Sequence, residues 1–303
     1  MAFEISYLAH KHIDKKKWDH CIRSASNCLI YPHSWYLDRM ADNWDALIAA
    51  DYEWVMPLTF RKKWGVKYLY QPAFTQQLGI FGKQAIDENL VGSFIKEAEK
   101  KFSFAEIFLN KGNRIPEAAK RDNFILNLHH SYEKLEAGFK EDLRRNLNRC
   151  KTFGLLYHPS EDYRQAINYY RKEYSSRISQ LEGRDYRRFT DLCGIAYENK
   201  MLLTRKVELP GSGILAIALL LQDSGRLYNI MSTTLPEGRR LEANHFLFEQ
   251  LIREFANSDL ILDFEGSDIA GIANFYKKFG AVSEPYFFVR FNNLPWPIKH
   301  FKK

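Results

Sequence analysis

Three residues near the end of the chain could share acid and base chemistry. In LDFEGSDIAGIANFYKKFGA, residues 262–281, Asp263 and Glu265 follow a short apolar run, and Tyr276 sits on a helical segment closed by Gly280. A base and an acid held together can take a proton from an attacking group and return one to a departing group. Asp263 and Glu265 alternate along a strand, which predicts that they face one side of a sheet, where either serves as base or orients an amine. The other role open to them is to hold the start of the following helix, where negative charge is favoured. Tyr276, a phenol with an ordinary pKa of about 10, is the candidate acid for a departing group. Its alternative is an ordinary packed aromatic of an amphipathic helix.

The elements that position these residues follow from the hydrophobic pattern. RRFTDLCGIAYENK has helical spacing; MLLTRKVEL, ILAIALLLQ and LYNIMSTTL are β-rich runs separated by PGSG and DSGR turns, an antiparallel meander. In LEANHFLFEQLIREFA, Leu247, Leu251 and Phe255 recur at helical spacing, so a second helix follows. LILDF is a short buried strand parallel to its predecessor, GIANFYKKF a third helix stopped by Gly280, and PYFFVRF a last strand.

The first half repeats this order. WDALIAAD, YEWVMPLTF and VKYLYQP read as three strands, DENLVGSFIKEAEKKF as a helix and AEIFLN as a strand. GVKY at 65 matches GRLY at 225, and Asn89 matches Asn244. The chain therefore reads as a duplicated α/β (mixed α+β) unit, with an N-terminal domain over 1–135, and connecting helices with a C-terminal domain over 136–303. In YLYQPAFTQQLGIF, Tyr70, Gln71, Gln76 and Gln77 offer uncharged donors and acceptors suited to an amide or sugar acceptor; a loop tied to a strand end is the other reading.

Composition narrows the classes. The 303 residues exceed the usual single domain, and 46% hydrophobic with 15% aromatic residues can bury a large core. A formal charge of +7 is compatible with a phosphate-bearing partner without demanding one. The longest apolar run, ILAIALLL, is too short to cross a membrane, and the basic opening lacks the apolar core of a signal peptide, so a cytoplasmic protein without membrane insertion is expected. Cys21, Cys28, Cys150 and Cys193 have neither metal-ligand spacing nor a disulfide pattern, and no metal is expected.

NFYKKFGA, LRRNLNRCKTFG and LDFEGS together resemble the GNAT acyltransferase superfamily in its tandem forms, the Fem-like transferases and the cellulose-biosynthesis-type acetyltransferase domain. The resemblance implies two GNAT-like domains, each a mixed, mostly antiparallel sheet flanked by helices. It also implies an acyl-CoA co-substrate, acetyl-CoA first, and a small-molecule, peptide or sugar amine acceptor held between the domains. The splayed ends of LYNIMSTTL, with Ser232 and Thr233, would offer backbone N–H groups. Gly238, Arg239 and Arg240 before the next helix would meet the cofactor's phosphates. PEGRRLEANHF departs from the family's phosphate loop, because Gly238 has no second small residue where the pattern requires one. Two alternatives follow: Fem-like transfer from aminoacyl-tRNA, which the basic stretch Lys140, Arg144, Arg145, Arg149 and Lys151 suits, or a binding protein whose cofactor loops have decayed.

Overall fold

The computed structural model describes residues 4–176, 180–266, 269–296 and 299. The chain divides into two compact units, Met1–Arg121 with Pro285–Lys303, and Asp122–Glu284. Each is built on one mixed, mostly antiparallel sheet with helices packed against it.

The first unit contains β1 (Ile5–Leu8), α1 (Lys15–Ser24), α2 (Ser34–Met40), β2 (Trp44–Ala49), β3 (Trp54–Lys63), β4 (Val66–Tyr70), β5 (Phe81–Gly82), α3 (Glu88–Glu99), β6 (Phe104–Leu109) and β7 (Ala119–Arg121). Strands β2, β3 and β4 form the antiparallel meander, and β6 runs parallel to β4. Helix α3 starts where the Asp87 carboxylate accepts the Leu90 N–H at 2.7 Å, which satisfies a donor the helix itself cannot. Its stripe of Leu90, Val91, Phe94 and Ala98 joins a core with Met56, Leu58 and Ile107.

The second unit contains β8 (Phe124–Asn127), α4 (Tyr132–Ala137), α5 (Glu141–Cys150), β9 (Leu156–Pro159), α6 (Tyr163–Tyr174), α7 (Gly183–Glu198), β10 (Leu202–Leu209), β11 (Gly213–Gln222), β12 (Arg226–Thr234), α8 (Pro236–Arg240), α9 (Ala243–Phe255), β13 (Ile261–Asp263), α10 (Ala270–Lys278) and β14 (Val282–Ser283). The meander β10, β11, β12 is again followed by a helix and a parallel strand, β13. Strand β11 reads as a continuous apolar run because both its faces are covered: Ala216, Ala218 and Leu220 join the core made with α5 and α9, and Ile217, Leu219 and Leu221 are also buried. Full burial of each such leucine contributes about 1.5–3 kcal/mol. PEGRR forms α8 rather than a loop, with Pro236 in the first turn, where its missing N–H costs nothing.

The unit boundaries differ from a cut at 135/136. Strand β8 pairs with β13 in the second sheet, and the last strand, β15 (Tyr286–Asn292), pairs with β6 and β7 in the first. The parallel strand of each meander leaves one edge unpaired, and in each unit that edge is covered by a strand from a remote part of the chain. Local periodicity carries no information about such a partner.

Candidate active site

The site lies where β12 and β13 part. Their parallel register runs only from Arg226 with Ile261 to Tyr228 with Asp263, after which β13 ends and β12 continues to Thr234. In the same place β12 bulges: Tyr228 faces Leu221 and Met231 faces Leu219, so Asn229 and Ile230 together oppose Leu220. The bulge turns both residues into a pocket of ≈ 480 Å³, together with Ser232 and Thr234 farther along the strand. Aromatic rings of Tyr170, Tyr174, Phe264, Phe275 and Tyr276 form much of the wall.

Glu265 lines this pocket, whereas Asp263 does not. The expectation that they share one face fails because β13 stops at Asp263 and Glu265 takes a left-handed conformation at φ 64°. Asp263 is buried, accepting from Arg226 Nη1 at 2.6 Å and Asn123 Nδ2 at 3.1 Å, and its other oxygen accepts the Glu265 N–H at 2.9 Å. Arg226 also donates to Glu284 at 2.8 and 3.2 Å. Asn123 closes the turn by accepting the Gly266 N–H at 2.8 Å, and only glycine fits at 266, since a Cβ there would overlap the Asp122 carbonyl. Neither acid is the N-cap of α10, a position held by Ile269. Burial pushes the Glu265 carboxyl up to about 8.

Tyr276 is 8% exposed, its ring 4.7 Å from that of Phe264, and it lines the same pocket. Burial first, then the nearby Glu265 carboxylate, holds its pKa well above the usual phenol range, so it is a donor under ordinary conditions. Tyr170 is pushed up to about 12 by burial. The side-chain oxygens of Asn229 and Asn244, both pocket residues, have no hydrogen-bond partner among the described residues. Buried polar atoms left open in a cavity mark places where a ligand would bond.

The residues expected to hold the cofactor disperse. Ser232 lines the pocket, but Thr233 points the other way along the strand and is buried at 1% exposure. Gly238 packs against β11, where a Cβ would overlap the Leu215 carbonyl, so its smallness serves packing rather than phosphate. Arg239 donates to Glu173 at 3.0 Å, Arg240 is exposed, and neither lines the pocket. At the head of α9, where helix amides would meet a diphosphate, the N-cap is Glu242, itself a carboxylate. These residues do not fit the diphosphate of a CoA carrier.

The acceptor residues expected in the first unit are structural as well. Gln71 donates to the Thr75 carbonyl at 2.9 Å and accepts the Phe108 N–H at 3.1 Å. Leu78 bonds the backbone of Phe108 and Asn110. The segment after β4 therefore lies along β6 within the first unit, at the end of the β4–β6 pair that is the counterpart of the open β12–β13 end in the second. Gln77 is buried and donates to Gln76, and the Tyr70 hydroxyl accepts the Asp42 N–H at 2.7 Å.

Residues 137–278, just under half the chain, match the family model described as an acetyltransferase (GNAT) domain. The chain has a tandem GNAT fold. The crystal structure of FemX has a TM-score of 0.64 at 14% identity, covering 98% of this chain and 99% of that one. A conserved protein of unknown function from Bacteroides thetaiotaomicron gives 0.59 at 11%, over 95% and 99%. The C-terminal domain of a putative lysylphosphatidylglycerol synthetase from Agrobacterium fabrum gives 0.53 at 13%, over 95% and 94%. No curated protein sequence matches. The match places an acetyltransferase-like (GNAT) domain over residues 137–278, within the second unit. Among the described residues there is no cluster of three or more metal-ligating side chains, and no helix is long and apolar enough to cross a membrane.

Sequence reasoning missed Arg226, Asn123 and Glu284, which hold the acidic turn, and the pocket asparagines 229 and 244. Tyr170 and Tyr174 lie one helical turn apart on α6, and their use as a pocket wall depends on α6 packing against β12.

Proposed function

We propose that the second unit transfers an acyl group from an activated carrier to a primary amine bound in the pocket between β12 and β13. The observation that carries this reading is Glu265, a carboxyl raised to about 8 and lining the same pocket as the Tyr276 phenol. A base with a pKa near that of working pH is well matched to taking a proton from an ammonium group. Glu265 takes one proton and frees the nitrogen lone pair, which forms the new C–N bond. The carbon–heteroatom bond of the carrier then breaks, and the departing oxygen or sulfur receives a proton from Tyr276, which regains one from the product nitrogen. The strained left-handed backbone of Glu265 supports a functional role over a decayed site, since such conformations cost about 1–3 kcal/mol and persist where surroundings enforce them.

A second reading, transfer from an aminoacyl ester such as aminoacyl-tRNA, draws support from Tyr276. Its raised pKa moves the phenol away from a thiol, at about 8.5, and toward an alcohol leaving group. Amide formation followed by mass spectrometry, with acyl thioesters and aminoacyl esters offered against a panel of primary amines, tests both readings. Formation of an amide that falls roughly 10²- to 10⁴-fold in rate in Glu265→Gln supports the proposal. Equal rates in the variant, or no amide from either donor class, would remove it.

A further inference from the structure

We propose that the end of the first unit's sheet that carries the β3–β4 turn docks on a bilayer surface of anionic phospholipid, with Trp64 as its apolar anchor. The proposal stands apart from the acyl-transfer reading, since every residue it uses belongs to the first unit. Strand β3 pairs with β2 as far as Thr59, and β4 meets β6 only from Tyr68 onward. Beyond those points Arg61, Lys62 and Lys63 pair with Tyr68, Lys67 and Val66, so a two-stranded ribbon runs on past the sheet. At about 3.3 Å per residue its turn lies roughly 13 Å beyond the first β4–β6 pair. Trp64 and Gly65 form that turn, and Trp64 is 81% exposed. Its φ of 50° is left-handed, a conformation that asparagine or glycine takes readily in a hairpin turn and a bulky aromatic rarely takes. Neither the turn nor the core therefore accounts for a tryptophan here.

A second tryptophan lies at the same end of the sheet. Strand β15 runs antiparallel to β6 and ends with Asn292 opposite Phe104, the residue that Tyr68 meets on the other side of β6. The chain leaves the sheet there, Asn292 Nδ2 donates to the Lys299 carbonyl at 3.2 Å, and Trp296 in between is 81% exposed. The charge is one-sided as well. From Trp54 to Ile86 the chain has five basic residues and no acidic one. Arg61 is 2.5 Å from Asp42 and Lys67 3.8 Å from Asp45, but no described carboxylate pairs with Lys62 or Lys63. Lys62 and Lys67 stand directly opposite each other, and like charges so placed weaken a hairpin. An anionic surface relieves that repulsion. Lysines also guard open strand edges against pairing, but that purpose needs no tryptophan at the tip. A tryptophan at headgroup level with lysines around it is a means of seating a protein at a membrane interface without crossing it. A nucleic-acid strand would call for a basic groove with successive stacking rings, whereas the ribbon ends in one exposed ring on a narrow tip.

Co-sedimentation with vesicles of phosphatidylcholine alone, and of phosphatidylcholine mixed equally with phosphatidylserine, tests the proposal. Wild-type protein should sediment with the mixed vesicles only, and salt should release it. Lys62→Gln combined with Lys63→Gln should weaken binding roughly 30-fold, from the usual contribution of a lysine near such a surface. Trp64→Asn should weaken it several-fold while the melting temperature holds or rises, because asparagine suits the left-handed turn. Wild-type protein that ignores the mixed vesicles, or binds the neutral ones equally, would overturn the proposal. So would either variant binding as wild type does, or tighter binding to single-stranded RNA, or to a second copy of the chain, that the same substitutions abolish.

Discussion

The backbone N–H of Glu265 donates to the Asp263 carboxylate at 2.9 Å, while Arg226 holds that same carboxylate from the other side at 2.6 Å. The buried pair thus fixes the turn on which the proposed base is carried. Asp263 acts as a positioning residue, and its own charge is spent on Arg226 and Asn123. Removing one member of a buried ion pair leaves the other uncompensated, at a cost of about 3–5 kcal/mol. Asp263→Ala should lower the urea midpoint accordingly, and Arg226→Met should do the same by stranding Asp263 and Glu284. A loss below about 1 kcal/mol in both would mean the pair is not what holds the turn.

Tyr276→Phe separates chemistry from packing at the other side of the pocket. The ring contact with Phe264 survives, so stability should change little, while kcat should fall by roughly 10²- to 10⁴-fold with KM for the amine nearly constant. If the variant turns over at the wild-type rate, Tyr276 is only a member of the aromatic wall.

The first unit gives a contrasting case, in which residues that look ligand-binding should affect stability alone. Gln71→Ala would leave the Phe108 N–H and the Thr75 carbonyl without their bonds, a loss of about 1–3 kcal/mol in denaturant titration. KM for the amine should not move. A raised KM at unchanged stability would restore Gln71 to the acceptor site.

The meander strands, α9 and α10 were legible because each carries its own period: alternation or a closed apolar run between turns, or leucines at helical spacing. PYFFVRF was read as a strand, but neither its place in the first sheet nor strands β8 and β14 were legible, since their partners lie far away in sequence: Phe287 pairs with Leu109, and Leu126 with Leu262. Asp263 and Glu265 were found as a pair, but their separation into a fixed acid and a pocket acid depends on Arg226, Asn123 and a left-handed residue. A one-dimensional pattern shows none of these. Gln71 is the converse case, because an amide that ties two backbone segments has the same chemistry as one that binds an acceptor.

Gly238→Ala tests the reassignment of the expected phosphate loop. A methyl group at 238 would run into the Leu215 carbonyl on β11, a backbone atom that cannot turn aside. Overpacking of this kind costs about 1–3 kcal/mol, so the variant should melt lower while donor KM stays near the wild-type value. A variant of unchanged stability and weakened donor binding would return Gly238 to the cofactor loop.

Activity and stability should respond to pH in opposite directions, both through Glu265. In the unfolded chain this carboxyl titrates near the usual value of about 4.3, and in the folded protein burial raises it to about 8. Between those values the folded state binds the proton that the unfolded state has lost. The stability contribution is therefore complete below the lower value and declines as pH rises toward about 8, with no further loss above it. The base, by contrast, works only when ionised, so kcat/KM should climb as pH rises through about 8. Urea titrations from pH 4 to 9 beside a pH–rate profile measure the two trends, and Glu265→Gln should flatten both. A wild-type rate that is level between pH 6 and 9, with a stability curve that the glutamine variant leaves unchanged, would mean that Glu265 does not titrate in this window, and the proposed base would have to be sought elsewhere in the pocket.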